Sequence, residues 1–265
     1  MKNENIPVVI LAGGLGTRLR EQTEFIPKPM VPIGGKPVLW HIMKIYSNYG
    51  FRRFIICLGY KGEIIKDYFY NYKMRTQDFT INLSEKKGIN YYNLHKEEDW
   101  EVTLADTGVK AMTGARLKQV ERYIDTDTFL MTYGDGVSNA RIDKTLDFHL
   151  SHNKAATVTG VKPPSRFGEL IIDNDRVVEF SEKPQVGSGL INGGFFVFNR
   201  KVFEFLSADD SCMFEKEPME KLAKTDNLMV YQHDGFWQCM DTLRDMNLLN
   251  ELWDSGKPPW QVWKE

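Results

Sequence analysis

The residues best suited to chemistry in this sequence begin with a glycine-rich loop. Gly13, Gly14 and Gly16 follow the apolar run Val8–Leu11, and Arg18 comes two residues later. Glycine lets the backbone turn sharply and bring its N–H groups close to an anion, and arginine adds charge and a fork of donors. The pattern therefore favours a phosphate-binding loop, and a plain tight turn is the alternative for the glycines alone.

Two familiar phosphate-binding motifs do not match this loop. A Walker A motif would need Gly-Lys-Ser/Thr at its end, and that sequence is missing here. A dinucleotide-binding fingerprint would need a third Gly or Ala where Leu19 stands.

A second candidate position is Asp135, which lies between Gly134 and Gly136 after the apolar run 128–133. An acid at the carboxyl end of a parallel strand lies where open α/β sheets bind their ligands. Asp135 is therefore either a turn residue or a metal ligand, and both interpretations stay open. His149 and His152 form a possible metal pair, but without a nearby acidic or cysteine partner we expect a surface pair.

The elements that must hold these residues alternate between short apolar runs and amphipathic segments. The runs predict strands at 6–11, 54–58, 100–105, 128–133, 155–161, 192–198 and 228–232. Helical patterns lie at 37–49, 63–72, 115–123, 141–152, 201–206, 215–224 and 243–253. Hairpins are predicted at 79–94 and 169–180. This alternation predicts an α/β fold with a doubly wound, mostly parallel, Rossmann-like sheet and hairpin insertions.

Composition bounds the class of protein. The 265 residues suffice for one large domain, and we predict that 1–265 form a single one. The formal net charge of −2 gives no basic excess for a nucleic-acid or membrane partner, so anionic substrates must meet local basic groups. Three cysteines make no disulfide framework, and no apolar run approaches a membrane span, so we expect a cytoplasmic protein.

Three linked motifs resemble the signature of the sugar-1-phosphate nucleotidylyltransferases. They are Leu11-Ala-Gly-Gly-Leu-Gly-Thr-Arg-Leu19, Pro27-Lys-Pro-Met30 and Gly35-Lys-Pro37. The resemblance runs nearly from end to end of the chain. It implies a GT-A-like nucleotidyltransferase fold, with a nucleotide-binding half at about 1–136 and a sugar-phosphate-binding half at about 137–265.

The resemblance also implies a role for individual residues. Arg18 and Lys28 are the expected catalytic cations, and Asp135 and Asp241 the expected ligands of Mg²⁺. Nucleotide contacts are expected from Leu11, Ala12, Gly13, Gly14, Gly16, Thr17, Thr107, Arg116 and Gly134. Sugar-phosphate contacts are expected from Gly168, Glu182, Lys183, Asn192 and Gly193, and from Trp237 because it lies four residues before Asp241.

The amino-acid sequences of several segments resemble those of the family branch that uses CTP and glucose 1-phosphate. These segments are Met112-Thr-Gly-Ala-Arg116, Thr132-Tyr-Gly-Asp-Gly136 and Gly235-Phe-Trp-Gln-Cys-Met-Asp-Thr-Leu-Arg244. Leu243 stands where thymidylyl- and uridylyl-transferring relatives commonly have glycine, and Ala115 departs mildly from an expected glycine. The resemblance thus implies a homo-oligomeric cytidylyltransferase. The alternatives are use of UTP or dTTP, and a non-catalytic subunit that binds nucleotide sugars.

Overall fold

The computed structural model describes residues 3–84, 88–92, 98–163, 169–173, 176–181 and 189–264. Its strands are β1 (Val8–Leu11), β2 (Pro32–Ile33), β3 (Lys36–Pro37), β4 (Arg53–Leu58), β5 (Asp78–Asn82), β6 (Gly88–Tyr92), β7 (Glu101–Asp106), β8 (Thr128–Tyr133), β9 (Gly136–Ser138), β10 (Ala156–Val161), β11 (Glu169–Asp173), β12 (Arg176–Ser181), β13 (Ile191–Asn199), β14 (Leu228–His233) and β15 (Trp237–Cys239). Its helices are α1 (Arg20–Thr23), α2 (Val38–Asn48), α3 (Gly62–Tyr70), α4 (Tyr72–Thr76), α5 (Thr113–Gln119), α6 (Ile142–Ser151), α7 (Glu217–Lys224) and α8 (Leu243–Asp254), with 3-10 turns at Thr17–Leu19, Lys28–Met30, Glu121–Tyr123 and Arg200–Phe205. Among the described helices, none has the length and hydropathy that crossing a bilayer requires.

Seven strands form the central sheet in the order β14-β10-β13-β8-β1-β4-β7. The neighbouring pairs are parallel except where β13 runs antiparallel to both β10 and β8. This order confirms the predicted mostly parallel α/β sheet. Leu11 pairs with Tyr133, so the glycine-rich loop after β1 and the segment after β8 leave the same edge of the sheet.

Alternate side chains of β1 pack into two different buried clusters, one on each face of the sheet. Val8 and Ile10 belong to one buried cluster, which includes residues of α2, α6 and α8. Val9 and Leu11 belong to a second cluster, which includes residues of α5 and α7. Successive side chains of a strand point to opposite faces, so a fully apolar run is buried only between two helical layers.

Two insertions predicted as hairpins pair as predicted, β5 with β6 and β11 with β12. The predicted helix at 115–123 is instead divided between α5 and a 3-10 turn, and the one at 201–206 is a 3-10 turn. Pro37 caps α2 and does not form its first turn.

The segment that carries Lys28 also differs from the prediction. Its prolines predict an extended chain, but Lys28–Met30 forms a 3-10 turn in which the N–H of Val31 donates to the carbonyl oxygen of Lys28 at 3.1 Å. The short pairs β2–β3 and β9–β15 are additional to the prediction, because two or three residues show no periodicity.

Candidate active site

One cleft of about 870 Å³ opens at the edge of the sheet where β1 and β8 end. Its lining includes the predicted site residues Leu11, Ala12, Gly13, Gly14, Gly16, Thr17, Arg18, Lys28, Arg116, Gly134, Asp135, Asn192, Gly193, Trp237 and Asp241. Thr107 is only 3% exposed and is not among the described residues that line the cleft. Gly168, Glu182 and Lys183 lie outside the described residues, so their predicted contacts remain predictions.

The glycine-rich loop packs so closely that side chains would not fit at two of its positions. A Cβ atom on Gly13 would lie 2.2 Å from Nη1 of Arg116. Gly16 has a φ of +63°, and its carbonyl oxygen accepts a hydrogen bond from the Thr23 hydroxyl at 3.0 Å. A Cβ atom on Gly14 would meet nothing within 4 Å, so this position faces open space. The loop can therefore bring its backbone close to a ligand.

The Lys28 ammonium lies between two carboxylates. Its Nζ donates to Oδ2 of Asp135 and to Oδ1 of Asp241, both at 2.6 Å, and the residue is 8% exposed. Burial alone would lower the pKa of Lys28, but the charges and hydrogen bonds of Asp135 and Asp241 outweigh it and raise that pKa. Lys28 is therefore a fixed positive charge at neutral pH.

Asp241 is held in place from two sides. Nη1 of Arg18 donates to its Oδ2 at 2.6 Å, and its backbone N–H donates to Oδ2 of Asp245 at 3.1 Å. Asp245 also forms a capping box with Thr242 at the start of α8. Burial raises the pKa of the Asp241 carboxyl, but Lys28 and Arg18 outweigh it and the pKa is lowered overall.

Strand pairing explains how the two acids meet. β9 begins directly after Asp135, and β15 ends two residues before Asp241. The two strands are antiparallel, with Gly136 opposite Cys239, and the N–H of Met240 donates to the carbonyl oxygen of Asp135 at 2.8 Å. This pairing is a tertiary contact that no local motif predicts.

Arg116 joins the glycine-rich loop to the segment after β7. Its guanidinium donates to the Thr107 hydroxyl and to the carbonyl oxygens of Leu58, Gly108, Val109 and Gly13, at 2.7 to 3.3 Å. The Thr107 hydroxyl in turn donates to the carbonyl oxygen of Leu58 at 2.6 Å. Arg116 thus cross-links the wall behind the loop, and its predicted contact with a nucleotide remains a prediction.

Another wall of the cleft is built from the start of β13. Oδ1 of Asn192 accepts from the N–H of Gly194 at 2.8 Å, and its Nδ2 donates to the hydroxyl of Tyr133 at 3.3 Å. Nε1 of Trp237 donates to the carbonyl oxygen of Gly193 at 2.7 Å. The indole therefore lies against this wall, on the same side of the cleft as Asn192.

Some residues that line the cleft were not among the site residues predicted from the sequence. Tyr133, Thr113, Met213 and Glu215 also line the cleft. Tyr133 precedes the Gly-Asp pair, and this adjacency is a signal that could have identified it. Glu215 lies in a charged stretch that is typical of a solvated surface, so nothing in the sequence distinguishes it.

His149 of α6 is buried and His152, directly after α6, is half-buried, so they are not the surface pair that we expected from the sequence. Nδ1 of His149 and Nε2 of His152 lie 2.9 and 2.8 Å from the hydroxyl of buried Thr157. Burial lowers the pKa of His149 to about 4. Within the described residues, no group of three or more His, Cys, Asp or Glu side chains is placed to hold a metal.

The cleft thus combines a backbone cradle with the cations Arg18 and Lys28 and the acids Asp135 and Asp241. Mg²⁺ is usually bound by one or two carboxylates together with phosphate oxygens and water. Cations beside such a pair stabilise charge that develops on a phosphoryl group. The arrangement suits transfer at a phosphorus atom of a polyphosphate.

Comparison with known proteins agrees with this chemistry. The sequence profile described as "Nucleotidyl transferase" matches residues 7–250. The glucose-1-phosphate cytidylyltransferase of Salmonella typhi is 52% identical over 259 residues, which cover 97% of this chain and 99% of that protein. The probable glucose-1-phosphate cytidylyltransferase of Bacillus subtilis (strain 168) is 46% identical over 255 residues, covering 96% and 99%.

Solved structures show the same fold. HddC from Yersinia pseudotuberculosis superposes with a TM-score of 0.66 at 27% identity, covering 94% of this chain and 99% of that one. A putative glucose-1-phosphate thymidylyltransferase from Bacillus anthracis gives a TM-score of 0.67 at 19% identity, covering 93% and 94%.

Proposed function

We propose that this chain, which belongs to the nucleotidyl transferase family, transfers the cytidylyl group of CTP to glucose 1-phosphate, giving CDP-glucose and pyrophosphate. The observation that carries the proposal is the high identity, along nearly the whole chain, to glucose-1-phosphate cytidylyltransferases. The cleft supports it, because Lys28, Asp135 and Asp241 converge beside the glycine-rich loop.

On this proposal the glycine-rich loop binds the triphosphate. The N–H groups of Gly13, Gly14 and Gly16 and the hydroxyl of Thr17 face the β- and γ-phosphates, which leave as pyrophosphate. Arg18 is 69% exposed at its side chain, so it can turn from Asp241 towards these phosphates at little cost. Lys28, which the surrounding side chains bury, holds its charge at the reacting phosphates.

Asp135 and Asp241 fit a magnesium ion. Both present carboxylate oxygens to one point, where the Lys28 ammonium already shows that a cation is stabilised. Hard oxygen donors are the ligands that Mg²⁺ prefers. When bound there, the ion would neutralise charge on the phosphates, and Lys28 would move from the carboxylates to the phosphate oxygens.

The transfer itself needs positioning more than proton movement. A phosphate oxygen of glucose 1-phosphate, already ionised at neutral pH, attacks the α-phosphorus of CTP. The bond from that phosphorus to the oxygen bridging the α- and β-phosphates breaks, and pyrophosphate leaves with the electron pair. The chain's own contribution is to align the two substrates and to stabilise this charge with Lys28 and Arg18.

We assign the sugar to the wall formed by β13. Asn192 and Gly193 present polar groups there, and the hydrogen bond from Trp237 to Gly193 fixes the indole beside them. Contacts of Gly168, Glu182 and Lys183 with the sugar phosphate belong to the proposal on the resemblance alone.

Nucleotide preference is the experiment that tests the function. Purified protein with Mg²⁺ and glucose 1-phosphate should release pyrophosphate with CTP, and at least tenfold more slowly with UTP, dTTP or GTP. Faster turnover with UTP or dTTP would replace the cytidylyl assignment. Binding of CDP-glucose without turnover of any triphosphate would instead indicate the non-catalytic subunit.

A separate observation favours self-association. The hairpin of β5 and β6 exposes Phe79, Ile81, Ile89 and Tyr92, with exposed fractions from 37% to 52%. Apolar side chains on a two-stranded hairpin favour a covering partner, and we propose a second copy of this chain. Light scattering should report an oligomer that Ile81→Asp dissociates and Ile81→Val leaves intact. A monomeric wild-type protein at micromolar concentration would reject the proposal.

We also infer that residues 1–265 work as one domain in a reducing compartment such as the cytoplasm. The central sheet combines strands from both predicted halves. All three cysteines, Cys57, Cys212 and Cys239, are free thiols.

A further inference from the structure

The carboxylate of Glu215 receives two short hydrogen bonds inside the cleft. The hydroxyl of Tyr133 donates to its Oε1 and the hydroxyl of Thr113 donates to its Oε2, both at 2.5 Å. Bonds from hydroxyl groups to an ionised carboxylate are short and strong. Thr113 begins α5 and Tyr133 ends β8, so Glu215 contacts two elements at positions 102 and 82 residues before it in the chain.

The connection continues to the sugar side of the cleft. The Tyr133 hydroxyl accepts from Nδ2 of Asn192 at 3.3 Å while it donates to Glu215. The Tyr133 ring also packs against Gly194, where a Cβ atom would lie 2.6 Å from ring carbon Cδ2. A line of hydrogen bonds thus runs from Thr113 through Glu215 and Tyr133 to Asn192.

Each end of this line stands in a different wall. Thr113 lies three residues before Arg116, which braces the glycine-rich loop, and Asn192 begins the wall assigned to the sugar. A reaction between two bound substrates depends on their alignment within fractions of an ångström. A polar link that joins lining residues of both walls is therefore placed to fix the distance between the nucleotide and the sugar phosphate.

The loop that carries Glu215 is anchored without its carboxylate. Phe214 is fully buried in the core, and its N–H donates to Oγ1 of Thr113 at 2.9 Å. The N–H of Ala115 donates to the carbonyl oxygen of Cys212 at 3.1 Å, and the N–H of Met112 to that of Asp210 at 2.8 Å. Glu215 itself is exposed to the cleft. Its removal should therefore leave the fold intact and change the link alone.

We propose that Glu215 is a positioning residue of the transfer reaction, which couples the nucleotide wall to the sugar wall through Thr113 and Tyr133. This role rests on the function proposed above. It is distinct from the roles of Lys28, Asp135 and Asp241, because Glu215 acts through other side chains and not on the reacting phosphates.

Ligands that span one wall or both walls test this role. We expect Glu215→Ala to weaken binding of CDP-glucose, which spans both walls, at least tenfold by calorimetry. Binding of CMP, which needs one wall, should weaken less than threefold. In the transfer assay kcat should fall tenfold or more, and Glu215→Gln should recover part of that loss. Glu217→Ala is the matched control, because Glu217 is an exposed acid at the start of α7 that forms a salt bridge with Lys221 of the same helix.

A double-substitution cycle tests the link itself. If Glu215 acts through Tyr133, the double variant Glu215→Ala/Tyr133→Phe should be no worse than Tyr133→Phe alone. If the effects of Glu215→Ala and Tyr133→Phe multiply in the double variant, the link is rejected. It is also rejected if Glu215→Ala weakens binding of CMP and CDP-glucose equally, or leaves binding of both unchanged. A fall in Tm that accounts for the lost binding would also reject it. Absence of turnover in the wild-type protein would reject the proposed function, whereas an active wild type matched by Glu215→Ala rejects only this role.

Discussion

Replacement of Lys28 by methionine probes the centre of the cleft. The ammonium lies 2.6 Å from an oxygen of Asp135 and an oxygen of Asp241, so it takes the place that a divalent cation needs. Methionine keeps an unbranched apolar stem and removes the charge. We expect Lys28→Met to bind Mn²⁺ more tightly in the absence of nucleotide and to lose transfer activity.

The magnitude follows from the two contacts. A hydrogen bond to a charged group contributes about 1.5–3 kcal/mol, and a metal ion entering the wild-type site must displace at least one of the two. Since about 1.4 kcal/mol is a factor of ten, the affinity for Mn²⁺ should rise about ten- to hundredfold. Loss of one positioned charge should lower kcat by about 10²–10³-fold.

Free Mn²⁺ measured by electron paramagnetic resonance gives the dissociation constant without any turnover. Arg18→Met is the matched control, because Arg18 contacts Asp241 at the same 2.6 Å but its side chain is 69% exposed. Exposed ion pairs contribute about 0–1 kcal/mol, so Arg18→Met should change the affinity by less than about fivefold. Equal Mn²⁺ affinity in Lys28→Met and the wild type would refute the reasoning. An equal rise in both variants would show a general effect of charge.

Three further predictions concern the loop, the core and the sugar wall. Gly13→Ala should overpack the loop, destabilise the fold by about 1–3 kcal/mol and lower Tm. Gly14→Ala should change stability by less than about 0.5 kcal/mol. Thermal unfolding of the two variants tests this difference. His149 has a pKa of about 4 in the folded state, below its value in the unfolded chain. Its neutral form therefore stabilises the fold fully above pH 6.5, and this stabilisation is lost as the pH falls towards 4. Between pH 7 and pH 5, the free energy of unfolding measured in urea should fall by about 1–2 kcal/mol less in His149→Gln than in the wild type. Equal falls would contradict the lowered pKa of His149. Trp237→Phe removes the hydrogen bond to Gly193 and should raise the KM for glucose 1-phosphate about three- to tenfold; a change confined to the KM for CTP would place the indole elsewhere.

Local patterns predicted the main sheet well because its inner strands are buried on both faces. Val8–Leu11 is apolar throughout and 128–133 is largely apolar, and such runs are typical of strands between two helical layers. Shorter elements were beyond prediction. β9 and β15 have three residues each, and their pairing depends on a partner far along the chain.

The sequence alone determined which residue types were available and where the sharp turns fall. The glycines of the loop, Lys28 and Asp135 stand in local motifs, since a strand followed by a glycine turn depends on neighbours in the chain. The tertiary structure alone decided that Asp241 meets Asp135, that the ammonium of Lys28 lies between them, and that Glu215 faces Tyr133. These contacts join residues separated by 82 to 213 positions, and only the packing of the whole sheet brings such positions together.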